Sequence, residues 1–381
     1  MLIENLVFLP DSPYSEWIIQ RSEKLVYGLN RYLVVVDDKN QRPKYTNSEV
    51  QVIDKTDLIG GLKEENLESY QRIIVHYHTP FIGFFILKQK ARLSNSKLIW
   101  VIWSGDLYKH FKFQKKAYTE ATRITMDQKT SFLENWRGAI HHRFLQAIGR
   151  PNKFSFEKSF AQFDYVATIF EKDVREAESV LGVKAKWIRF ALLSLDEMFT
   201  QEYLEQSPSL GRKIMIGHSG SPENNHLDVF EKIHQLVPEN TVQILSPLSY
   251  GNPKFIAEVK KKGREYFGNR LEILEDFIPR EEYYQKLSEV SIAIFNHKIQ
   301  QAFGNILGLI FMGVKVCLNP ENPVFIEMTR NGIKIINYQE LTKEDLLNPL
   351  SESDIQHNRN KIRALFNEEL IQTYYQDLYR A

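Results

Sequence analysis

Along the chain, short runs of β-branched and aromatic residues alternate with segments whose apolar positions recur every three or four residues. Strands covered on both faces read as continuous apolar runs, and amphipathic helices connect them, so the pattern predicts parallel α/β architecture. Strands are expected at Leu2–Leu9, Tyr32–Asp37, Val50–Ile53, Arg72–His76, Lys97–Trp103, Tyr165–Phe170 and Lys186–Phe190. Helices fall between most of them, as at Ser15–Leu25 and Lys172–Leu181. The alternation fails from Leu192 to Arg212, where Ser-Pro-Ser and Gly occur, and this stretch is the expected linker. It resumes with strands at Lys213–Ile216, Thr241–Leu245, Leu271–Leu274, Val290–Phe295, Val314–Leu318 and Ile333–Ile336.

Each set suffices for a small doubly wound sheet, and no sequence repeat relates the two. The expected organisation has a Rossmann-like domain over residues 1–205 with a helical insertion at 109–158, and a second such domain over 206–350. Residues 351–381 form a C-terminal helix, roughly His357–Tyr379, of the kind that often crosses back onto the first domain.

Composition narrows the function. The 381 residues are 43% hydrophobic and 25% charged with a net charge of +1, which excludes a general nucleic-acid binder. The single cysteine, Cys317, lies in an apolar run and reads as core. No Cys/His cluster offers a metal site, so neither a metal nor another cofactor is expected. The N-terminal segment MLIENLVFLPDS has neither the basic nor the apolar region of a signal peptide and reads as a strand. The longest apolar stretches, such as that from Ile306 to Val316, are broken before they could span a bilayer. A cytoplasmic protein is expected. The stretch from Lys109 to Lys158 is different: it holds eleven Lys/Arg against four acids, interleaved with Phe111, Phe113, Tyr118, Phe132, Trp136 and Phe144. Such a stretch suits peripheral contact with an anionic leaflet, though a solvated helical insertion has the same composition.

In open parallel sheets, ligands bind beyond the carboxyl ends of the strands. The loop after Lys213–Ile216 begins Gly217-His218-Ser219-Gly220, whose small residues admit close backbone approach ahead of a helix N-terminus. After Val290–Phe295 come Gln300, Gln301, Gly304, Asn305 and Ile306, where free helix N–H groups from Gly304 to Ile306 would meet an anion such as a diphosphate. Phe277 and Ile278 sit where accessible main chain suits a nucleobase. In the first half, Trp103, Asp106 and Tyr108 place an indole, an acid and a phenol at a sheet edge. Aromatic faces suit sugar CH surfaces, and Asp106 suits hydroxyl recognition or proton abstraction, with helix capping as its structural alternative. His76 and His78 follow another strand. At most one of them is expected in the cleft, which argues against a metal pair.

The segments WVIWSGDLY, IGHSGSPENNHL and QQAFGNILGLIFMGVKVCLNPENPVF resemble those of glycosyltransferase family 56, the bacterial transferases for N-acetylfucosamine that build enterobacterial common antigen. The likeness runs from about Gly217 to Gly332 and around Trp103–Tyr108. It implies a GT-B fold, two Rossmann-like domains facing across a cleft. It also implies a dTDP-sugar donor on the C-terminal domain and an undecaprenyl-diphosphate-linked saccharide acceptor at the inner face of the cytoplasmic membrane. On this sequence the family's motifs fall on Gly217, Ser219 and Gly220; on Gln300, Gln301 and Gly304; and on Trp103, Asp106, Leu107 and Tyr108. Retaining GT-B enzymes of family 4 carry a Glu where Gln301 stands and a second acid near Leu309. Neither is present, which favours direct displacement with a general base, Asp106 first and then His76 or His78. A nucleotide-sugar epimerase of the same build, or a non-catalytic sugar-nucleotide binder, remains open on the residues alone.

Overall fold

Apolar runs without a polar face are stable as strands only where both faces of the sheet are covered. In β1 (Asn5–Pro10), NLVFLP, the first five residues are all buried. The computed structural model describes residues 3–40, 42–48, 50–127, 145, 149–201, 203, 212–237 and 242–381. Among these residues, β1 joins β2 (Asn30–Val35), β3 (Gln51–Ile53), β4 (Arg72–His76), β5 (Lys97–Val101), β6 (Tyr165–Thr168) and β7 (Lys186–Arg189) in one sheet. All its pairings are parallel, in the order β3-β2-β1-β4-β5-β6-β7. A second parallel sheet holds β8 (Lys213–Ile216), β9 (Gln243–Pro247), β10 (Leu271–Leu274), β11 (Val290–Phe295), β12 (Lys315–Leu318) and β13 (Ile336–Asn337). Its order is β10-β9-β8-β11-β12-β13. Cys317 is buried within β12.

The chain divides into two compact units. One comprises Met1–Lys109, Ser131–Ser194 and Glu368–Ala381, the other His110–Thr130 and Leu195–Asn367. The basic segment expected as one insertion is therefore shared between them. Its first part is held in the second unit by Asn225, whose Nδ2 donates to Ala117 O (3.1 Å) and whose Oδ1 accepts from Thr119 N (2.9 Å). Phe113 is buried there. Residues 128–144 and 146–148, with Phe132, Trp136 and Phe144, lie outside the described residues, as do 204–211 of the expected linker. Among the described residues no helix is long and apolar enough to cross a membrane.

The C-terminal helix expected over His357–Tyr379 is in fact two, Glu352–Leu365 and Glu368–Arg380. Between them Phe366 turns fully into the second unit's interior. Asn367 Nδ2 closes the first helix on Ala364 O (2.9 Å). The last helix belongs to the first unit and buries Ile371, Tyr374, Tyr375, Leu378 and Tyr379. Arg21, almost wholly buried, grips Glu368 with both terminal nitrogens (3.0 and 2.7 Å), a bidentate geometry that fixes the helix start. Tyr375 OH donates to Leu192 O (3.0 Å).

Pairing with Arg21 holds the Glu368 carboxyl below its ordinary range. Its contribution is therefore present above the ordinary carboxyl pKa of about 4 and lost as pH falls below it. Glu368→Gln leaves the Arg21 guanidinium half-paired and should destabilise the first unit by about 1–3 kcal/mol. Faster amide exchange over Glu368–Arg380 is the expected signature, and unchanged protection would exclude the ion pair as the anchor.

Candidate active site

Each sheet has one point where the strand order reverses, between β1 and β4 in the first unit and between β8 and β11 in the second. Backbone strain gathers at these points. Among the described residues, non-glycine residues with left-handed φ are Leu62, Tyr77 (67°), Ser104 (73°), Asn225 (52°) and Ala302 (53°). All but Leu62 lie on loops leaving β4, β5, β8 or β11. Such conformations cost of order 1–3 kcal/mol each and persist only where surrounding structure enforces them.

In the first unit the enforcing group is Asp106. Its carboxylate is buried and accepts from His78 N (3.0 Å), Trp100 Nε1 (2.6 Å) and Trp103 N (2.9 Å). These donors come from the ends of β4 and β5, so one side chain clamps both loops. The strand expected to run to Trp103 accordingly stops at Val101. The reading of Asp106 as an acceptor-site base meets a carboxylate that is buried and already held by three donors. It does not cap its helix, whose N-cap is Ser104. Burial pushes its pKa up to about 6 against the opposing effect of these donors. Tyr108 is likewise buried and donates to Asp173 (2.6 Å), so it is not free to contact an acceptor. Burial raises Asp173 to about 7.

Residues two apart on an extended strand share a face, yet His76 and His78 part company. The left-handed backbone of Tyr77 turns the chain between them. His78 sits among Trp100, Phe156, Phe160 and Phe163, with Nε2 on Ser159 Oγ (2.8 Å), and is a core residue. His76 instead lines a pocket of about 440 Å³ at the β1/β4 reversal, with Asp11, Asp37, Arg42, Lys55 and Phe81 among its neighbours. Trp103 Nε1 donates to His76 Nδ1 (3.3 Å), and the half-buried indole meets Tyr14, His76 and Tyr77 edge-on. Of the first-unit candidates, His76 and Trp103 come together beside the pocket; Asp106, His78 and Tyr108 support them from below.

In the second unit the small residues of the first loop serve the loop itself. A Cβ on Gly217 would lie 2.5 Å from His226 Nε2, and one on Gly220 would lie 2.1 Å from Ile256 Cγ1. Gly220 N bonds Tyr250 O (2.7 Å), tying the β8 and β9 loops together. Ser219 is fully buried and its Oγ accepts from Asn224 Nδ2 (3.2 Å). His218 N donates to Asn224 Oδ1 (3.2 Å). Gly304 is different: a Cβ there would have nothing within 4 Å. It opens the Phe303–Phe311 helix, whose first internal bond is Ile306 N to Ala302 O (2.9 Å). The amides of Gly304 and Asn305 precede that bond and have no carbonyl within the helix to meet, whereas Ile306 is buried core and its N–H is used. Gln301 Oε1 is buried without a partner. Gln300 is half-buried on the same loop, Phe277 is 89% exposed beyond β10, and Ile278 beside it is half-buried.

Sequence reasoning missed the asparagines that hold these loops and the histidines packed among them. Asn322 Nδ2 reaches His297 O (2.8 Å) and Ile299 O (3.0 Å), while Asn225 Nδ2 reaches Asn296 O (2.9 Å). Asn319 Nδ2 bonds Asn296 Oδ1 (2.8 Å). His226 and His297 are fully buried; among the described residues both ring nitrogens of His226 and Nε2 of His297 lack partners, and burial lowers their pKa to about 3 and about 4. His218 is lowered by the same cause. The signal was present as asparagines in the segments that follow the apolar runs, in PENNH, FNH and LNPEN. Among the described residues no group of three or more His, Cys, Asp or Glu side chains is placed to hold a metal ion.

Comparison with known proteins agrees with this layout. The chain matches the family described as "4-alpha-L-fucosyltransferase glycosyl transferase group 56" over residues 189–381, just over half its length. Similar solved structures include the apo lipopolysaccharide outer core galactosyltransferase WaaB, at TM-score 0.62 and 9% identity, covering 99% of each chain. Anabaena HepE in complex with UDP and glucose superposes at 0.61 with 9% identity, over 99% of this chain and 98% of its own. A UDP-forming α,α-trehalose-phosphate synthase from Burkholderia vietnamiensis gives 0.58 and 9% over 99% and 98%. At such identity these likenesses concern the fold, which is GT-B.

Asp106→Asn turns an amide N–H₂ toward donors that need an acceptor. It should lower stability by roughly 1–3 kcal/mol for each N–H left unpaired, read as a reduced urea midpoint; wild-type stability would remove the clamp. Because Asp106 and Asp173 titrate higher in the folded chain than unfolded, the native state holds more protons, and stability falls as pH rises from about 4 through 6 and 7. Asp173→Asn, which still accepts from Tyr108, should flatten the upper part of that slope in denaturation curves taken across pH. An unchanged slope would place the protons elsewhere.

Proposed function

Because the chain belongs to the 4-alpha-L-fucosyltransferase family of glycosyl transferase group 56, and so is a glycosyltransferase, we propose that it carries a sugar from a dTDP-sugar to a polyprenyl-diphosphate-linked saccharide. The donor binds the second unit at the β8/β11 reversal. The observation that carries this is the open helix start at Gly304, with unused amides at Gly304 and Asn305 beside the unpartnered Gln301 Oε1. Amides at a helix N-terminus give a diphosphate both hydrogen bonds and the positive end of the helix dipole. His218 borders the same loops, and the exposed Phe277 with Ile278 offers a face for the nucleobase. The acceptor saccharide enters the pocket beside His76 and Trp103, where an indole can lie against sugar CH groups.

In this reading the leaving diphosphate is stabilised by fixed amides, and no divalent metal is essential. A lipid-linked acceptor requires the enzyme to work at the inner face of the cytoplasmic membrane, and the basic stretch from Lys109 to Lys158 supports peripheral association there.

A thermal-shift panel of dTDP-, UDP- and GDP-sugars tests the donor class, since ligand at about 100 times its dissociation constant stabilises by about 2.7 kcal/mol. The dTDP-sugar should give the largest shift. Among the described residues no atom lies within 4 Å of a Cβ at Gly304, so Gly304→Val should fold normally and still weaken dTDP binding about tenfold, roughly 1.4 kcal/mol, by calorimetry. Unchanged affinity would move the diphosphate off this helix. Transfer that stops in EDTA and returns with magnesium would contradict the metal-free reading.

A further inference from the structure

With Asp106 buried against three donors and His78 enclosed, the first-unit pocket still needs a group to take the proton of an attacking hydroxyl. His76 does not supply it. An indole N–H only donates, so the bond from Trp103 Nε1 marks His76 Nδ1 as the bare nitrogen and places the ring proton on Nε2. Nε2 has no partner among the described residues, and the residue lines the pocket. Burial lowers the ring's pKa to about 3, so it stays neutral near pH 7. A second proton could enter only at Nδ1, against the indole. His76 therefore offers the pocket a hydrogen bond and accepts none.

The pocket's three aspartates differ in what already holds them. Asp11 accepts from the amides of Lys44 (2.8 Å) and Tyr45 (3.1 Å). Asp38 accepts from Asn40 N (3.0 Å) and Nδ2 (2.8 Å). Asp37, just past the end of β2, is exposed and has neither hydrogen bond nor ion pair among the described residues, although Arg42 and Lys55 line the same pocket.

We propose that Asp37 is the proton acceptor of this pocket and His76 a fixed hydrogen-bond donor that orients the acceptor sugar. The inference rests on the reading of the pocket as the acceptor site. As the acceptor oxygen bonds the anomeric carbon, the bond to the nucleoside diphosphate breaks and the diphosphate leaves with its electron pair. The hydroxyl proton passes to Asp37, which later releases it to water. His76 Nε2–H meanwhile donates to a neighbouring hydroxyl.

Protein labelled with ¹⁵N in its imidazole rings, observed by NMR between about pH 5 and 8, tests His76 without any substrate. A single neutral tautomer protonated at Nε2 is expected, giving way to mixed tautomers in Trp103→Phe; a proton on Nδ1 in the wild type overturns the donor assignment. Turnover is then measured with dTDP-sugar and a short-prenyl-diphosphate-linked saccharide. Asp37→Asn should lose 10²–10⁴-fold in kcat, with the KM for donor unchanged. His76→Gln, which keeps an N–H, should stay within about tenfold of wild type, while His76→Ala should fall further with a raised KM for the acceptor. If Asp37→Asn matches an active wild type, the base assignment falls alone. If the prenyl-linked saccharide leaves the wild-type His76 resonances unmoved, the acceptor reading of the pocket falls, whatever the tautomer.

Discussion

A carboxylate that never meets solvent organises the first unit's site. Asp106 gathers a main-chain amide from the loop after β4, another from the loop after β5, and the indole N–H of Trp100. Main-chain groups buried at the ends of parallel strands need partners, because the ladder that satisfied them has ended. By supplying one acceptor to both loops, Asp106 makes the left-handed turns at Tyr77 and Ser104 tolerable. Those turns in turn aim His76 into the pocket and hold Trp103 against it. Its pKa, shifted toward neutrality by burial, accompanies this structural duty.

The second unit meets the same need with amides. Asn225, Asn296, Asn319 and Asn322 tie the loops after β8, β11 and β12, so no buried carboxylate is added where an anionic donor is proposed to bind. An uncharged bracket is the cheaper solution there, since a buried negative charge would repel a diphosphate through a medium that screens poorly. Neutral histidines packed between the brackets follow the same rule.

Much of this was legible beforehand. Continuous apolar runs such as NLVFLP and SIAIF place the strands, and the rule that ligands gather at strand carboxyl ends singles out the loops after β4, β5, β8 and β11. What failed to show were relations between distant residues. Gly217 and Gly220 look like residues cleared for a ligand, but the atoms needing the space are His226 and Ile256. Asp106 looks like an exposed acid because nothing in WSGDLY reveals that three donors converge on it. At most one of His76 and His78 was expected at the cleft, but the cause of their parting was not visible: Tyr77 adopts a backbone state its chemistry does not favour. Phe366 breaks a helix that local propensity would continue, because burying its ring outweighs one more turn. In each case tertiary packing overrode a local preference.

The last helix gives the chain an order of assembly. Residues Glu368–Ala381 complete the first unit's interior, where Tyr375 and its neighbours are buried and Arg72 Nε reaches the main-chain oxygen of Ala381 (3.2 Å). A ribosome delivers those residues after everything in the second unit. Until they are made, the N-terminal sheet's groove for this helix stays unfilled. The first unit is the part whose apolar interior stays open until those residues arrive.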